Sequence, residues 1–223
     1  MALIVYGGAV SPFVRKVRVV LIEKGLDYTL EQVSPFSPPP EFLAISPLKR
    51  IPVLRDTDHA EPNTLPDSSI ICDYLETKFP KPALYPADPF ARAKALWYEE
   101  YADSAMAAGI GPGLFFERIV KRMMRSQTDE AACQKSLTEK LPPVFDHLEI
   151  EVAGKEYLAG GAFSIADISV GTQFVNFIHA GESVDPARWP KLAAYVARIH
   201  ARASFKALIE EETPLIKRFR AAA

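Results

Sequence analysis

Cysteine is scarce in this 223-residue chain, and its two cysteines, Cys72 and Cys133, lie far apart. They form neither a CxxC pair nor the ligand spacing of a metal site, so we expect no disulfide framework and no zinc centre. The four histidines are also dispersed, without an HExxH motif, and we expect no bound metal. Unpaired cysteines are typical of reducing compartments, which favours a cytoplasmic location.

Long hydrophobic runs and an excess of one charge are also lacking. No segment approaches the roughly 20 apolar residues of a membrane-spanning helix. The opening MALIVYGGAV has neither the basic start nor the apolar length of a secretion signal. Its 26 basic and 28 acidic residues leave a net charge of −2. We therefore expect neither a membrane nor a nucleic acid as a partner.

Proline, in contrast, is abundant, and four prolines lie in the segment PKPALYPADP at 80–89. Such a segment is typical of a linker between domains. Before it, strand-like and helix-like segments alternate in the order βαβ and then ββα, which predicts a small mixed sheet flanked by helices. After it, nearly every segment has helical periodicity. The predicted domains are residues 1–80 and 89–223, joined by a linker at 81–88.

The second domain is expected to be helical throughout. A long helix should begin at Pro89, and GIGPG around Pro112 should break or kink it. In FSIAD, Ser164 and Asp167 form a capping box, a helix start that we assign to folding rather than to chemistry. The further helical patterns cover about 113–126, 129–151, 164–179 and 188–210.

The first helix of the chain is predicted over 12–24. Its apolar residues, such as Phe13, Val17 and Val20, share one face, and Arg15 and Lys16 point elsewhere. Arg15 and Lys16 are therefore expected outside the core.

Three short motifs in the first domain could carry chemistry. Ser11-Pro12 opens the first helix, where serine is a favoured N-cap and proline loses no hydrogen bond. Ile51-Pro52 introduces a strand, and a cis bond there would turn the backbone of Ile51 outward, where it could pair with an extended peptide. Asp67 and Ser68 stand at a helix N-terminus, whose amides bind a carboxylate while Asp67 attracts an ammonium group. Helix capping explains Ser11 and Asp67 equally well when each is taken alone.

With these motifs in this order and spacing, the chain resembles the cytosolic glutathione transferases over essentially its whole length. The matching stretches are SPFVRKVRVVLIEKGLDY, SPLKRIPVL, LPDSSIICDYLE, the proline linker and FSIADI. The resemblance implies an α/β thioredoxin-like N-terminal domain, an all-α C-terminal domain, a homodimer, and glutathione as co-substrate. A bacterial member of the serine-type classes (theta-, tau- or zeta-like) fits better than a tyrosine-type one. The single serine of GAVSPF departs from the zeta pattern.

The resemblance also implies site residues, position by position. The hydroxyl of Ser11 would face the glutathione sulfur as the catalytic group, Asp67 would bind the γ-glutamyl head together with Ser68, and Arg50 would reach the glycyl carboxylate. Asp67 is shorter than the Glu or Gln of many members, and the lysine of tau-like members is missing from SPFSPPPE. The implied glutathione-binding set is Ser11, Phe13, Arg50, Ile51, Pro52, Asp67 and Ser68.

An apolar pocket for the electrophile is expected between the domains, although core packing explains each of its residues equally well. Its candidate residues are Val10, Phe36, Tyr101, Met106, Ile110 and Phe115.

The expected function is therefore conjugation of the glutathione thiolate to a small hydrophobic electrophile, as in detoxification. Tyr6 is a rival donor to the sulfur, because tyrosine-type relatives use a phenol near the end of the first strand. We favour Ser11, since serine-type sequences often carry a structural tyrosine there. A cysteine is absent from position 11, which argues against disulfide exchange. Two alternatives remain open: a stress-associated protein that binds glutathione with little transferase activity, and an interaction module.

Overall fold

Two structural units make up residues 2–220, the part of the chain that the computed structural model describes. One unit extends to Leu84 and the other begins at Tyr85, a division inside the segment that the sequence predicts as a linker. The elements of the first unit are β1 (Leu3–Tyr6), α1 (Pro12–Glu23), β2 (Tyr28–Glu31), α2 (Pro40–Ile45), β3 (Val53–Asp56), β4 (Thr64–Pro66) and α3 (Ser68–Lys78).

The sheet of the first unit has the strand order β2-β1-β3-β4. Strand β1 is parallel to β2, with Leu3 opposite Tyr28, and antiparallel to β3, with Leu3 opposite Asp56. Strand β4 is antiparallel to β3. Leu3 and Val5 are buried, as alternating residues of a strand with a covered face should be. The predicted mixed sheet is thus confirmed, except that its third strand begins at Val53 rather than at Ile51.

Helix α1 begins at a serine N-cap followed by proline, and Gly25, with φ of 65°, follows its C-terminus. The expectation that Arg15 and Lys16 lie outside the core is wrong, because both are fully buried. The Lys16 ammonium donates to Ser69 Oγ at 3.0 Å, and the Arg15 guanidinium donates to the Val10 carbonyl at 3.3 Å. The methylene groups of a lysine or arginine can be buried when the charged group at the end of the side chain donates to an acceptor. Helical periodicity does not show whether such an acceptor is present.

The second unit is helical, as predicted, and α9 (Ile165–His179) is its most buried helix. Almost every residue of α9 is buried, including Asp167. Three stretches of π-helix, Ala102–Met106, Gly111–Val120 and Ser136–Lys140, lie between the α-helices. The α-helices are α4 (Pro89–Tyr101), α5 (Ala107–Ile110), α6 (Lys121–Met123), α7 (Glu130–Lys135), α8 (Leu141–Glu151), α9 (Ile165–His179), α10 (Pro190–His200) and α11 (Ala203–Arg220).

Two expectations about these helices need correction. The long helix was expected to break or kink at Pro112; it does not break, but continues from Pro89 to Met123 and passes into a π-helix at Gly111. A proline removes one donor and clashes with the carbonyl four residues earlier, and the wider π turn lets the chain pass it. The single pattern over 188–210 is two helices, since α10 ends at His200 and α11 begins at Ala203.

The capping box at the start of α9 is confirmed. Asp167 Oδ2 accepts hydrogen bonds from the Ser164 N–H at 3.0 Å and the Ser164 hydroxyl at 3.2 Å. Its Oδ1 accepts from the Leu158 N–H at 2.9 Å and the Tyr195 hydroxyl at 2.8 Å. Burial raises the pKa of the Asp167 carboxyl, and these donors oppose that rise. Asp167 therefore joins the loop before α9, the start of α9 and α10.

Two glycines of the long helix let it approach the following helices closely. A Cβ atom on Gly113 would lie 1.8 Å from Ser136 Oγ, and one on Gly109 would lie 2.5 Å from Leu141 Cδ2. Real side chains do not approach so closely, so glycine at these positions sets the helix separation. Two of the three glycines of GIGPG, Gly109 and Gly113, thus serve helix packing.

We expect Gly113→Ala to destabilise the protein by about 1–3 kcal/mol, because the added methyl group overpacks the contact with Ser136. Gly111→Ala is the matched control, since a Cβ there meets nothing within 4 Å, and it should be neutral or stabilise the protein by up to about 1 kcal/mol, because alanine favours a helix more than glycine does. The double substitution Gly113→Ala/Ser136→Gly should recover part of the loss. Urea unfolding of the three variants measures the effects, and equal stabilities of the two alanine variants would contradict this account of the contact.

Within residues 2–220, no helix combines the length and the apolar character that crossing a membrane requires. The same residues contain no group of three or more histidine, cysteine, aspartate or glutamate side chains placed to hold a metal ion.

Candidate functional site

Ser11 is the N-cap of α1, and its hydroxyl is only lightly used by the protein. Ser11 Oγ accepts a long hydrogen bond of 3.5 Å from the Val14 N–H. The hydroxyl hydrogen has no acceptor within the described chain, residues 2–220. The side chain is half-buried and lies at the positive end of a helix. Ser11 can therefore cap the helix as an acceptor and still donate a hydrogen bond to a bound anion.

The Ile51-Pro52 turn is the second part of the site, and its peptide bond is cis. Ile51 lies outside the β3 ladder, which begins at Val53. The turn before it is fixed by Ser46, which is buried: Ser46 Oγ accepts the Arg50 N–H at 3.1 Å and donates to the Arg50 carbonyl at 2.7 Å. The Arg50 side chain itself is exposed. Ser46 was not predicted, and its one signal in the sequence is a polar residue before the proline of SPLKR.

Asp67 forms the third part and has an unusual backbone. It caps α3 with φ of 79° and ψ of 131°, a left-handed conformation that costs a residue with a side chain roughly 1–3 kcal/mol. Its Oδ1 accepts from the Ser69 N–H at 2.9 Å and the Ile70 N–H at 3.4 Å. Both cap bonds use Oδ1, so Oδ2 of this exposed side chain is not needed for capping. Ser68, in contrast, is buried.

Two contacts hold these three parts together in the first unit. A Cβ on Gly7 would lie 2.5 Å from Val14 Cγ2 and 3.3 Å from Ile51 Cβ, so Gly7 brings the start of α1 against the Ile51 turn. The buried ammonium of Lys16 donates to Ser69 Oγ, which connects α1 to the first turn of α3. Neither contact was predicted, and no pattern in the sequence distinguishes Lys16 from a solvated lysine.

Tyr6, the rival donor, packs into a small apolar cluster with Phe42 and Val53, against which Ile51 of the candidate site also packs. Its ring lies 6.4 Å from the ring of Phe42 and 5.6 Å from the Arg55 guanidinium. Burial raises the pKa of the Tyr6 phenol, which Arg55 opposes. A raised pKa keeps the phenol protonated, so it does not by itself exclude Tyr6 as a hydrogen-bond donor. The contacts of the ring with Phe42 and Arg55 give Tyr6 a packing role.

The predicted electrophile residues are divided between the two units. In the first unit, Val10 is half-buried and Phe36 is 56% exposed. In the second, Met106, Ile110 and Phe115 are buried.

Tyr101 is engaged within the helical unit. Its hydroxyl donates to the Val144 carbonyl at 3.2 Å, and its ring stacks on Trp97 at 5.2 Å. Burial raises the pKa of the Tyr101 phenol. The contacts within the helical unit thus suffice to explain its position.

Comparisons with known proteins agree with this architecture. A family model described as the N-terminal domain of glutathione S-transferase matches residues 5–83, and one described as the C-terminal domain matches residues 115–212. Glutathione S-transferase 3 of Zea mays is 31% identical over 91% of this chain and 87% of its own length. FtsZ-localized protein A of Caulobacter vibrioides is 25% identical over 92% of this chain and 89% of its own.

A solved structure gives the same result. A glutathione S-transferase of Methylobacterium radiotolerans, in complex with glutathione sulfonate, is 26% identical with a TM-score of 0.74. The match covers 94% of this chain and 95% of that one.

Proposed function

Because the chain belongs to the glutathione S-transferase family, we propose that it binds glutathione and transfers its thiolate to a small hydrophobic electrophile. The observation that carries the proposal is the Ser11 hydroxyl at the N-terminus of α1, whose hydrogen has no acceptor among residues 2–220. The similar transferase of Methylobacterium radiotolerans holds glutathione sulfonate, which supports glutathione as the ligand here.

The proposed mechanism lowers the pKa of the bound thiol. A free cysteine thiol has a pKa of about 8.5, so only a few per cent is thiolate at pH 7. A hydrogen bond to a charged acceptor is worth about 1.5–3 kcal/mol, equivalent to roughly 1–2 pKa units. Ser11 keeps its own proton and donates this bond to the sulfur, and the thiol proton leaves to solvent. The thiolate then forms a bond to an electrophilic carbon as a leaving group departs with its electron pair.

The other residues of the set would position the tripeptide. Asp67 Oδ2 is available for the γ-glutamyl ammonium, and the positive end of α3, where Asp67 Oδ1 already accepts the Ser69 and Ile70 N–H groups, would attract its carboxylate. The backbone of Ile51, which lies outside the strand ladder, would pair with the cysteinyl unit. The exposed side chain of Arg50 would reach the glycyl carboxylate. We propose a serine-type member on these grounds, with Tyr6 as a packing residue.

A second candidate function is binding without useful turnover, because a relative that matches most of the chain is named for its localisation with FtsZ rather than for a transferase activity. Retention on immobilised glutathione followed by turnover of an aryl halide separates the two. Retention with turnover supports the transferase, retention without turnover supports a binding protein, and the absence of both would overturn glutathione as the ligand.

We also propose a homodimer in the cytoplasm of a bacterium. Neither cysteine forms a disulfide within residues 2–220, and both are buried, in keeping with a reducing compartment. Several large apolar side chains are exposed, including Ile70, Phe90, Trp97 and Ile150, and two-fold dimers are the commonest oligomers. Light scattering at micromolar concentration should give twice the mass of the chain, and a monomeric mass would contradict the proposal.

We expect Asp67→Ala to raise KM for glutathione by roughly 10-fold or more with little change in kcat, because the ammonium contact is the same in the ground and transition states. Asp67→Asn is the matched variant, since its amide oxygen can still accept the cap bonds that Oδ1 accepts while the charge is removed. If the charge binds the ammonium, both variants should raise KM. Glutathione saturation kinetics measure this, and a lower kcat at unchanged KM would remove Asp67 from the binding site.

A further inference from the structure

A groove of about 460 Å³ lies entirely within the helical unit, between α9, the end of α10 and α11. Its volume is within the range of small-molecule sites. None of the residues assigned to glutathione lines it. The groove is therefore distinct from the candidate glutathione site.

The walls of the groove are aliphatic. Val175 and Ile178 of α9 face Ile209 and Ile216 of α11 across it. Ile209 and Ile216 are seven residues apart, so they lie on the same face of α11. The lining contains no phenylalanine, tyrosine or tryptophan. Such walls favour a flexible alkyl chain over an aromatic ring, which would need a ring face to stack on.

The rim of the groove carries positive charge. Lys206, Lys217 and Arg220 line it together with a single acidic residue, Glu210. Lys206 Nζ lies 3.9 Å from Glu210 Oε1. Because this ion pair is exposed, it contributes little to stability. Neither Lys217 nor Arg220 has an ion pair with another side chain of residues 2–220. Two cations at one end of an aliphatic groove are complementary to the head of a carboxylate.

The histidines of the groove are engaged with other groups. The buried His179 Nε2 lies 2.9 Å from Glu212 Oε2, and His200 Nε2 lies 2.9 Å from the Gly171 carbonyl oxygen. A ring nitrogen of each histidine is therefore committed within the protein, which favours ligand binding over acid–base chemistry. We propose that the groove binds a medium-chain aliphatic carboxylate, with its chain along the isoleucines and its carboxylate at Lys217 and Arg220.

Titration calorimetry with decanoate at low ionic strength, below its micellar concentration, tests the proposal. The wild-type chain should bind one decanoate, and Lys217→Glu/Arg220→Glu should weaken binding at least tenfold, because two attractions become repulsions. Lys135→Glu, which changes an exposed lysine of α7 outside the groove, should bind as the wild type does. Added salt should weaken the wild-type interaction.

Two further ligands test the contributions of the alkyl chain and of the carboxylate group of decanoate separately. Hexanoate should bind at least tenfold more weakly than decanoate, since four methylene groups leave the groove, and decanol should bind more weakly because it lacks the charge. The absence of saturable decanoate binding, unchanged binding by the double variant, or an equal loss in Lys135→Glu would each overturn the proposal. The experiment does not use transferase activity, so its outcome is independent of the function proposed above.

Discussion

Replacing Ser11 with alanine or with glycine should raise the pKa of bound glutathione by roughly 1–2 units, because both substitutions remove the hydroxyl that donates to the sulfur. The thiolate fraction at neutral pH should fall by about 10-fold or more, and activity should fall with it. Activity should recover in part as pH rises through the new pKa, since a thiol with a raised pKa ionises later. Activity should therefore fall because less of the bound glutathione is thiolate, and alkaline pH should restore the thiolate.

The two substitutions together separate catalysis from helix capping. As a cap alone, Ser11→Ala should cost about 0.5–2 kcal/mol of stability and Ser11→Gly only a few tenths, with no effect on the thiol. The long bond of 3.5 Å from the Val14 N–H to Ser11 Oγ places the cost at the lower end. The measurement is the thiolate absorbance of bound glutathione against pH. Three superimposable titrations would return Ser11 to the role of a cap, and Tyr6→Phe would be the next variant to make.

Replacing Asp167 with alanine should destabilise the protein by about 3–5 kcal/mol, a large part of the 5–15 kcal/mol that holds a typical domain together. The substitution leaves the Leu158 N–H, the Ser164 N–H and the Tyr195 hydroxyl without their acceptor in a buried region. Each such orphaned donor costs about 1–3 kcal/mol. The effect should appear as a lower midpoint of urea unfolding and as poor yield at 37 °C.

A matched control separates burial from capping as the cause. Asp129 is also an N-cap, but it is exposed and accepts one bond, from the Ala132 N–H at 3.1 Å. Asp129→Ala should therefore cost only about 1 kcal/mol. Similar losses in the two alanine variants would show that capping alone, and not the buried network around Asp167, sets the stability.

Most of the fold could be predicted because the patterns that indicate it lie within short stretches of the sequence. The alternation of strands and helices, the proline-rich linker and the FSIAD helix start each depend on a few neighbouring residues. Nothing local distinguishes the buried Lys16 from a solvated lysine, since its acceptor, Ser69, lies 53 residues away. The break between α10 and α11 was missed because the apolar period continues across it.

The candidate site was predicted in part for the same reason. Ser11, Ile51 and Asp67 stand at element boundaries, where capping residues and prolines are visible in the sequence. The left-handed backbone of Asp67 was not foreseen, because aspartate usually caps helices in an extended conformation. The clamp of Ser46 on Arg50 and the close approach at Gly7 depend on tertiary contacts, which a single sequence does not display.

The π-helix at Gly111–Val120 has a consequence for how the helix accepts a change in the number of its residues. A π turn holds one residue more than the α turn it replaces, so the segment contains a surplus residue that an α-helix would not need. Deleting Pro112, which is exposed, could return the segment to α-helix without moving the helix on either side. Arg118, which donates to the Ala180 carbonyl at 3.2 Å, could then keep its place. A deletion of one residue, normally accommodated only in loops, is therefore expected to be accommodated in the middle of this long helix.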